Sequence, residues 1–124
     1  MTSAHQDTGG FTLRETTITD IHKAFADGSI SVRGLVELYL NRIEAFDRNG
    51  PEINSIITVN PQALEDADRL DKDFGSKGLT GPLHGVPVIL KDQMDARGMP
   101  TTLGSVVFRD YFPDRDCFVT DKLR

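Results

Sequence analysis

Apolar positions in the first half of the chain recur at helical spacing, and turn residues punctuate them. Ile18, Ile21, His22 and Phe25 follow a helical rhythm that begins near Thr17. Thr19 and Asp20 are candidate caps, and Gly28 is a natural stop. Ser31 is placed to cap a second helix, whose Leu35, Leu38, Tyr39, Ile43 and Phe46 form one stripe. Arg48–Asn49–Gly50–Pro51 ends it. Ile53 to Val59 is short, β-branched and flanked by turn residues, so it predicts a strand. Asn60–Pro61 closes that strand and opens a third helix, with Pro61 suited to the first helical position. Ala63, Leu64, Ala67, Leu70 and Phe74 line one face of this helix. Glu65, Asp66, Asp68, Arg69, Asp71, Lys72 and Asp73 cover the other, which reads as a solvated face.

The pattern changes at Gly75. Gly75, Gly78, Gly81, Pro82 and Gly85 predict an irregular connection. Val86–Pro87–Val88–Ile89–Leu90 is then continuously apolar and of strand length, which predicts a strand buried on both faces. Thr101 to Phe108 holds a second candidate strand, and Cys117 to Arg124 begins a helix with Phe118, Val119 and Leu123 on one side. Residues 1–16 are expected to be a flexible tail, leaving 17–124 as one unit. The order of elements predicts an α/β architecture of helices packed on the first strands of a mixed sheet. Few strands are available to flank a doubly buried one, so the unit is expected to be incomplete on its own.

Composition narrows the functional classes. The 124 residues suit one domain, and the formal charge is −5, from 14 basic and 19 acidic residues. Acid and base are interspersed, which gives no electrostatic footprint for nucleic acid or an anionic membrane. Cys117 is the single cysteine, so an intrachain disulfide is excluded. The first ten residues are polar and lack the pattern of a signal peptide. No apolar run approaches the ~20 residues of a membrane span. These features lead us to expect a soluble, cytoplasmic protein.

Metal or cofactor chemistry is not expected. His5, His22 and His84 are scattered, and Cys117 has no partner at ligand spacing. Asp92 and Asp95 lack the glycine and alternating acids of a calcium loop. Neither a phosphate-binding glycine loop nor a nucleophile elbow is present. Lys91 stands out. It ends the apolar run, where partial desolvation would disfavour the ammonium and let a neutral amine act as a general base. Position alone favours a lysine that has left the sheet and points into water, since perturbed lysines are the exception.

The surrounding residues decide between these readings. Gly81–Pro82–Leu83–His84–Gly85–Val86–Pro87–Val88–Ile89–Leu90–Lys91–Asp92, followed by Gly98–Met99–Pro100–Thr101–Thr102–Leu103–Gly104–Ser105, resembles the N-terminal part of the amidase-signature family. The resemblance runs from about Thr17 to the last residue and covers only the first part of a full family member. It implies amide C–N hydrolysis by a Ser–Ser–Lys triad, without a cofactor. One serine attacks the carbonyl, a second relays its proton to the lysine, and backbone amides of a glycine/serine-rich segment form the oxyanion hole. Only the lysine maps, onto Lys91, as the one catalytic residue expected here.

The serines present, Ser3, Ser29, Ser31, Ser55, Ser76 and Ser105, lie outside such a segment. Ser105 matches a turn position of the family and reads as structural. Met99 to Thr102 maps near the edge of a substrate pocket. His84 is expected to pack or hydrogen-bond, Asp92 to bond backbone amides of the loop after Lys91, and Cys117 to fill space.

Three readings of the chain follow. It is an amidase piece, inactive alone; or one subunit of a two-chain amidase or glutamine-dependent aminoacyl-tRNA amidotransferase, completed by a partner chain carrying the serines; or a non-catalytic interaction module derived from an amidase. A small-molecule amide is the expected substrate once the site is complete.

Overall fold

Helix boundaries are set by specific side chains. The computed structural model describes residues 7–8 and 10–124. A two-stranded antiparallel hairpin, β1 (Asp7–Thr8) and β2 (Phe11–Thr12), comes first. Helix α1 (Ile18–Asp27) starts at Thr17, whose hydroxyl accepts from the Asp20 amide while the Asp20 carboxylate accepts from the Thr17 amide. This reciprocal capping box satisfies two amide donors. Gly28 ends α1 in the left-handed conformation at φ 76°. Ser31 caps α2 (Val32–Arg42) by accepting from the Gly34 amide.

The second helix does not continue as predicted. Ile43–Arg48 is wound as a π-helix. Its closing carbonyls are taken up by the returning chain: the Ile53 amide donates to Phe46 and the Asn54 amide to Asp47. The Asp47 side chain is buried and accepts from the Ser55 amide and hydroxyl, both at 2.6 Å, and from the Ile56 amide. These bonds replace the strand ladder expected at Ile53–Val59, which runs irregularly with Ile53, Ile57 and Val59 exposed. Helix α3 spans Ala63–Lys77, two residues later than predicted. Asn60 first folds an Asx turn onto the Gln62 amide, which moves Pro61 into the turn before the helix.

Phe11, Leu13, Ile21, Ala24, Phe25, Ile30, Val32, Leu35, Leu38 and Ala67 form the core, flanked by Val36, Tyr39, Leu70, Phe74 and Val86. Each large apolar side chain fully buried here contributes about 1.5–3 kcal/mol. Phe11 and Leu13 fall within 1–16, so this stretch is not wholly a free tail: burial of two large side chains fastens it to the helices. Residues 1–6 and 9 lie outside the described residues.

Beyond Phe74 the architecture departs most from expectation. Among the described residues the hairpin strands are the only ones, and the chain is mostly helical. Val86–Leu90 runs without a strand partner, and Ile89 is 80% exposed. Thr101–Phe108 forms a turn and a 3₁₀ helix (Val106–Phe108) instead of a strand. The reason is shared: a strand forms only against a neighbour, and neither segment has one here. Helix α4 (Phe118–Leu123) matches the predicted start, with Phe118 and Val119 exposed.

Candidate functional site around Lys91

The segment leading to Lys91 is fixed to the helices at a turn. His84 is buried, and its ring lies 6.0 Å from that of Phe74. Its Nδ1 accepts from the Thr80 amide at 3.4 Å and is 2.8 Å from the Thr80 hydroxyl, while its carbonyl accepts from His22 Nε2 at 3.0 Å. His84 thus packs and hydrogen-bonds, as the sequence suggested. Gly85 follows at φ +70°, where a Cβ would stand 2.7 Å from Val32 Cγ2 and 2.8 Å from Phe25 Cε2. Only glycine allows this close approach in this conformation.

Lys91 itself is exposed. The desolvation inferred from the apolar run is absent, because Pro87, Val88 and Ile89 are exposed as well. What fixes the backbone at this point is the next residue. The Asp92 carboxylate accepts from the Thr102 hydroxyl at 2.6 Å, the Thr102 amide at 3.2 Å and the Gly104 amide at 3.0 Å. The Asp92 carbonyl accepts from the Leu103 amide, and that of Lys91 from the Met94 amide at 2.8 Å. The Thr102 hydroxyl, with the two amides and the Lys91 charge assisting, holds the Asp92 carboxyl below its ordinary value of 3.8. One carboxylate therefore ties the lysine loop to the Thr101–Ser105 turn.

That turn is closed in its own right. The Thr101 amide donates to Tyr111, and Ser105 caps the 3₁₀ helix by accepting from the Val107 amide. Ser105 has the structural place expected of it. Farther on, Asp116 accepts from the Arg97 amide and pairs with Arg124 at 3.0 Å. Cys117 begins α4, with Sγ 3.3 Å from the Thr120 hydroxyl, and this contact leads in drawing the thiol below its ordinary value.

Two groups of anchoring residues escaped the sequence reading. On α3, Asp71 accepts from the Val32 amide at 2.7 Å and the Arg33 amide at 3.0 Å, and Asp68 pairs with Arg33 at 2.7 Å. The face expected to be solvated therefore docks the start of α2. The signal was present as two aspartates three residues apart on one helical face. Asp47 with Ser55 carried no comparable signal, since their pairing depends on the π-helical turn.

Among the described residues no cluster of histidine, cysteine and carboxylate side chains could hold a metal ion. No helix there is long and apolar enough to cross a membrane.

A mostly helical chain that delivers a clamped lysine through a Gly–Pro–Leu–His–Gly turn defines the class. Residues 34–124 match the family model described as Amidase, and the chain belongs to that family. It is 38% identical over 117 residues to a probable amidase of Arabidopsis thaliana, covering 92% of this chain and 22% of that protein. It is 40% identical over 113 residues to a Glutamyl-tRNA(Gln) amidotransferase subunit from Geobacter sulfurreducens, covering 90% of this chain and 22% of the relative. The X-ray structure of native peptide amidase from Stenotrophomonas maltophilia matches with a TM-score of 0.86 at 37% identity, over 90% of this chain and 23% of that one. The fold is thus the N-terminal part of the amidase-signature fold, and the chain spans 22% of the length of these two curated relatives.

Proposed function

We propose that this chain is the N-terminal part or subunit of an amidase-signature hydrolase that cleaves amide C–N bonds, with Lys91 as its proton acceptor. The observation that carries the reading is the lysine loop. Within the stretch that matches the family, Asp92 clamps the backbone beside Lys91 and so fixes the place from which the lysine side chain projects. In the reaction a serine oxygen attacks the amide carbonyl, and its proton passes through a second serine to the Lys91 amine, which the rest of the domain must desolvate for it to accept. The amine then returns a proton to the leaving nitrogen, and water releases the acyl group. Both serines and the oxyanion-hole amides come from outside these residues, so the chain alone is expected to be inactive.

The 40% identity to an amidotransferase subunit favours a second form of the same reading, in which the chain works beside a partner polypeptide. The test has two arms. The pure chain is incubated with aryl amides and esters, and then mixed with a polypeptide carrying the remainder of an amidase-signature domain. Turnover only on mixing, abolished by Lys91→Ala, is the expected result. Lys91-dependent turnover by the chain alone overturns the inactivity. Turnover on mixing that survives Lys91→Ala removes Lys91 from the chemistry.

A further inference from the structure

We infer that His84 is a positioning residue for the Lys91 segment, acting through an Nδ1 that must remain an acceptor. The importance given to Lys91 rests on the reading above, but the latch itself stands on geometry. His84 is 5% exposed, so water cannot take over its contacts. Its Nδ1 accepts from the Thr80 amide and therefore carries no hydrogen, which leaves the ring proton on Nε2. Among the described residues, that Nε2 is buried without a partner. An unpaired buried donor is costly, and the site retains it while using the other ring nitrogen.

The groups facing the ring and its backbone explain the arrangement. From α3 comes the Phe74 ring, from the turn comes Thr80, and from α1 comes His22, whose Nε2–H is held on the His84 carbonyl. Ring and carbonyl of one residue thus bind two different elements. Gly85 then seats the chain between Val32 and Phe25. Val86 to Leu90 have no ladder of their own, so their path is set by two anchors: this latch upstream and the Asp92 clamp downstream.

The latch is tested on the 124-residue chain by NMR, without reference to activity. Imidazole ¹⁵N shifts should report an unprotonated Nδ1 and a protonated Nε2 at His84; the opposite tautomer overturns the assignment. His84→Ala should speed exchange of the Thr80 and Val86 amides about fivefold or more, the scale of one lost hydrogen bond. It should also lower backbone order from residue 86 to Lys91. His84→Asn places an amide oxygen near the former Nδ1 and should restore most of that order. Should His84→Ala fail to fold, Thr80→Val, at an exposed position, removes the hydroxyl partner and should give a smaller change in the same direction. Unchanged order at 86–91 in His84→Ala or, where that variant does not fold, in Thr80→Val, or no recovery in His84→Asn, overturns the inference. Disruption of the Leu35 region to the same extent would also do so, because it would reduce His84 to a general packing residue.

Discussion

The Asp71 carboxylate on α3 spans the Val32 and Arg33 amides at the start of α2, at 2.7 and 3.0 Å. A helix of one sequence region thus supplies the anionic cap for another, where amide donors and the helix dipole favour negative charge. Asp71→Asn removes the charge and Asp71→Ala the cap entirely. The alanine variant is expected to lose about 1–3 kcal/mol, with asparagine between it and the parent, as read from urea unfolding followed by circular dichroism.

Gly85 makes the tightest apolar approach, at a left-handed φ. Gly85→Ala adds a methyl 2.7 Å from Val32 and strains the backbone. A loss of roughly 2–4 kcal/mol is expected from the two effects together. A thermal midpoint equal to that of the parent would show that the turn can shift away from α1 and α2 at little cost.

Acid should weaken the structure in a definite window. Asp20, Asp27, Asp47 and Asp92 all have carboxyls held below the ordinary value of 3.8, each led by a hydroxyl hydrogen bond, from Thr17, Ser29, Ser55 and Thr102 respectively. A carboxyl depressed in the folded state contributes stability that is fully present above its unfolded value. That contribution is lost as pH falls through the folded one. Stability should therefore be flat above about pH 5 and decline below about pH 4. Asp47→Asn should make the decline shallower in acid-titrated melts.

Lys91 is exposed and has no salt-bridge partner among the described residues. Lys91→Ala should change stability by no more than about 0.5 kcal/mol. A larger loss in chemical denaturation would assign the residue a structural part. The same variant is the one expected to abolish turnover in a completed enzyme, so stability and activity should separate cleanly.

Apolar exposure is concentrated late in the chain, at Val88, Ile89, Leu103, Val106, Val107, Phe108, Phe112 and Phe118. Association that grows with concentration is expected, together with binding of a hydrophobic dye. Ile89→Lys with Val107→Lys should reduce both without altering helix content. A monodisperse parent at high concentration would contradict the expectation.

How much could be read from the sequence differed between the two halves for a physical reason. Gly28 and Ser31 act within a few residues, so the stop of α1 and the start of α2 were legible. The α1 cap is Thr17 rather than Thr19 or Asp20, which lie inside the first turn, where Asp20 closes the capping box. The same locality made the apolar stripe of α3 visible. The π-helical turn at Ile43–Arg48 was not, because it depends on the segment at Ile53–Ile56 folding back. Val86–Leu90 was read as a buried strand from its composition, but burial requires neighbours, and composition does not supply them. At the site, the Gly–Pro–Leu–His–Gly pattern located Lys91, whereas its exposure and the Asp92–Thr102 bond are three-dimensional facts spanning ten residues of sequence.

The unequal placement of the core has a calorimetric consequence. Among the described residues the buried large aliphatic and aromatic side chains lie between Phe11 and Leu38, and from Pro87 onward the buried apolar residues are Ala96 and Pro113. Apolar burial is what gives unfolding its heat-capacity change, whereas hydrogen bonds to a carboxylate such as Asp92 carry little of it. A heat-capacity step would therefore register the helical half, while release of the lysine loop from its clamp would change the heat capacity little.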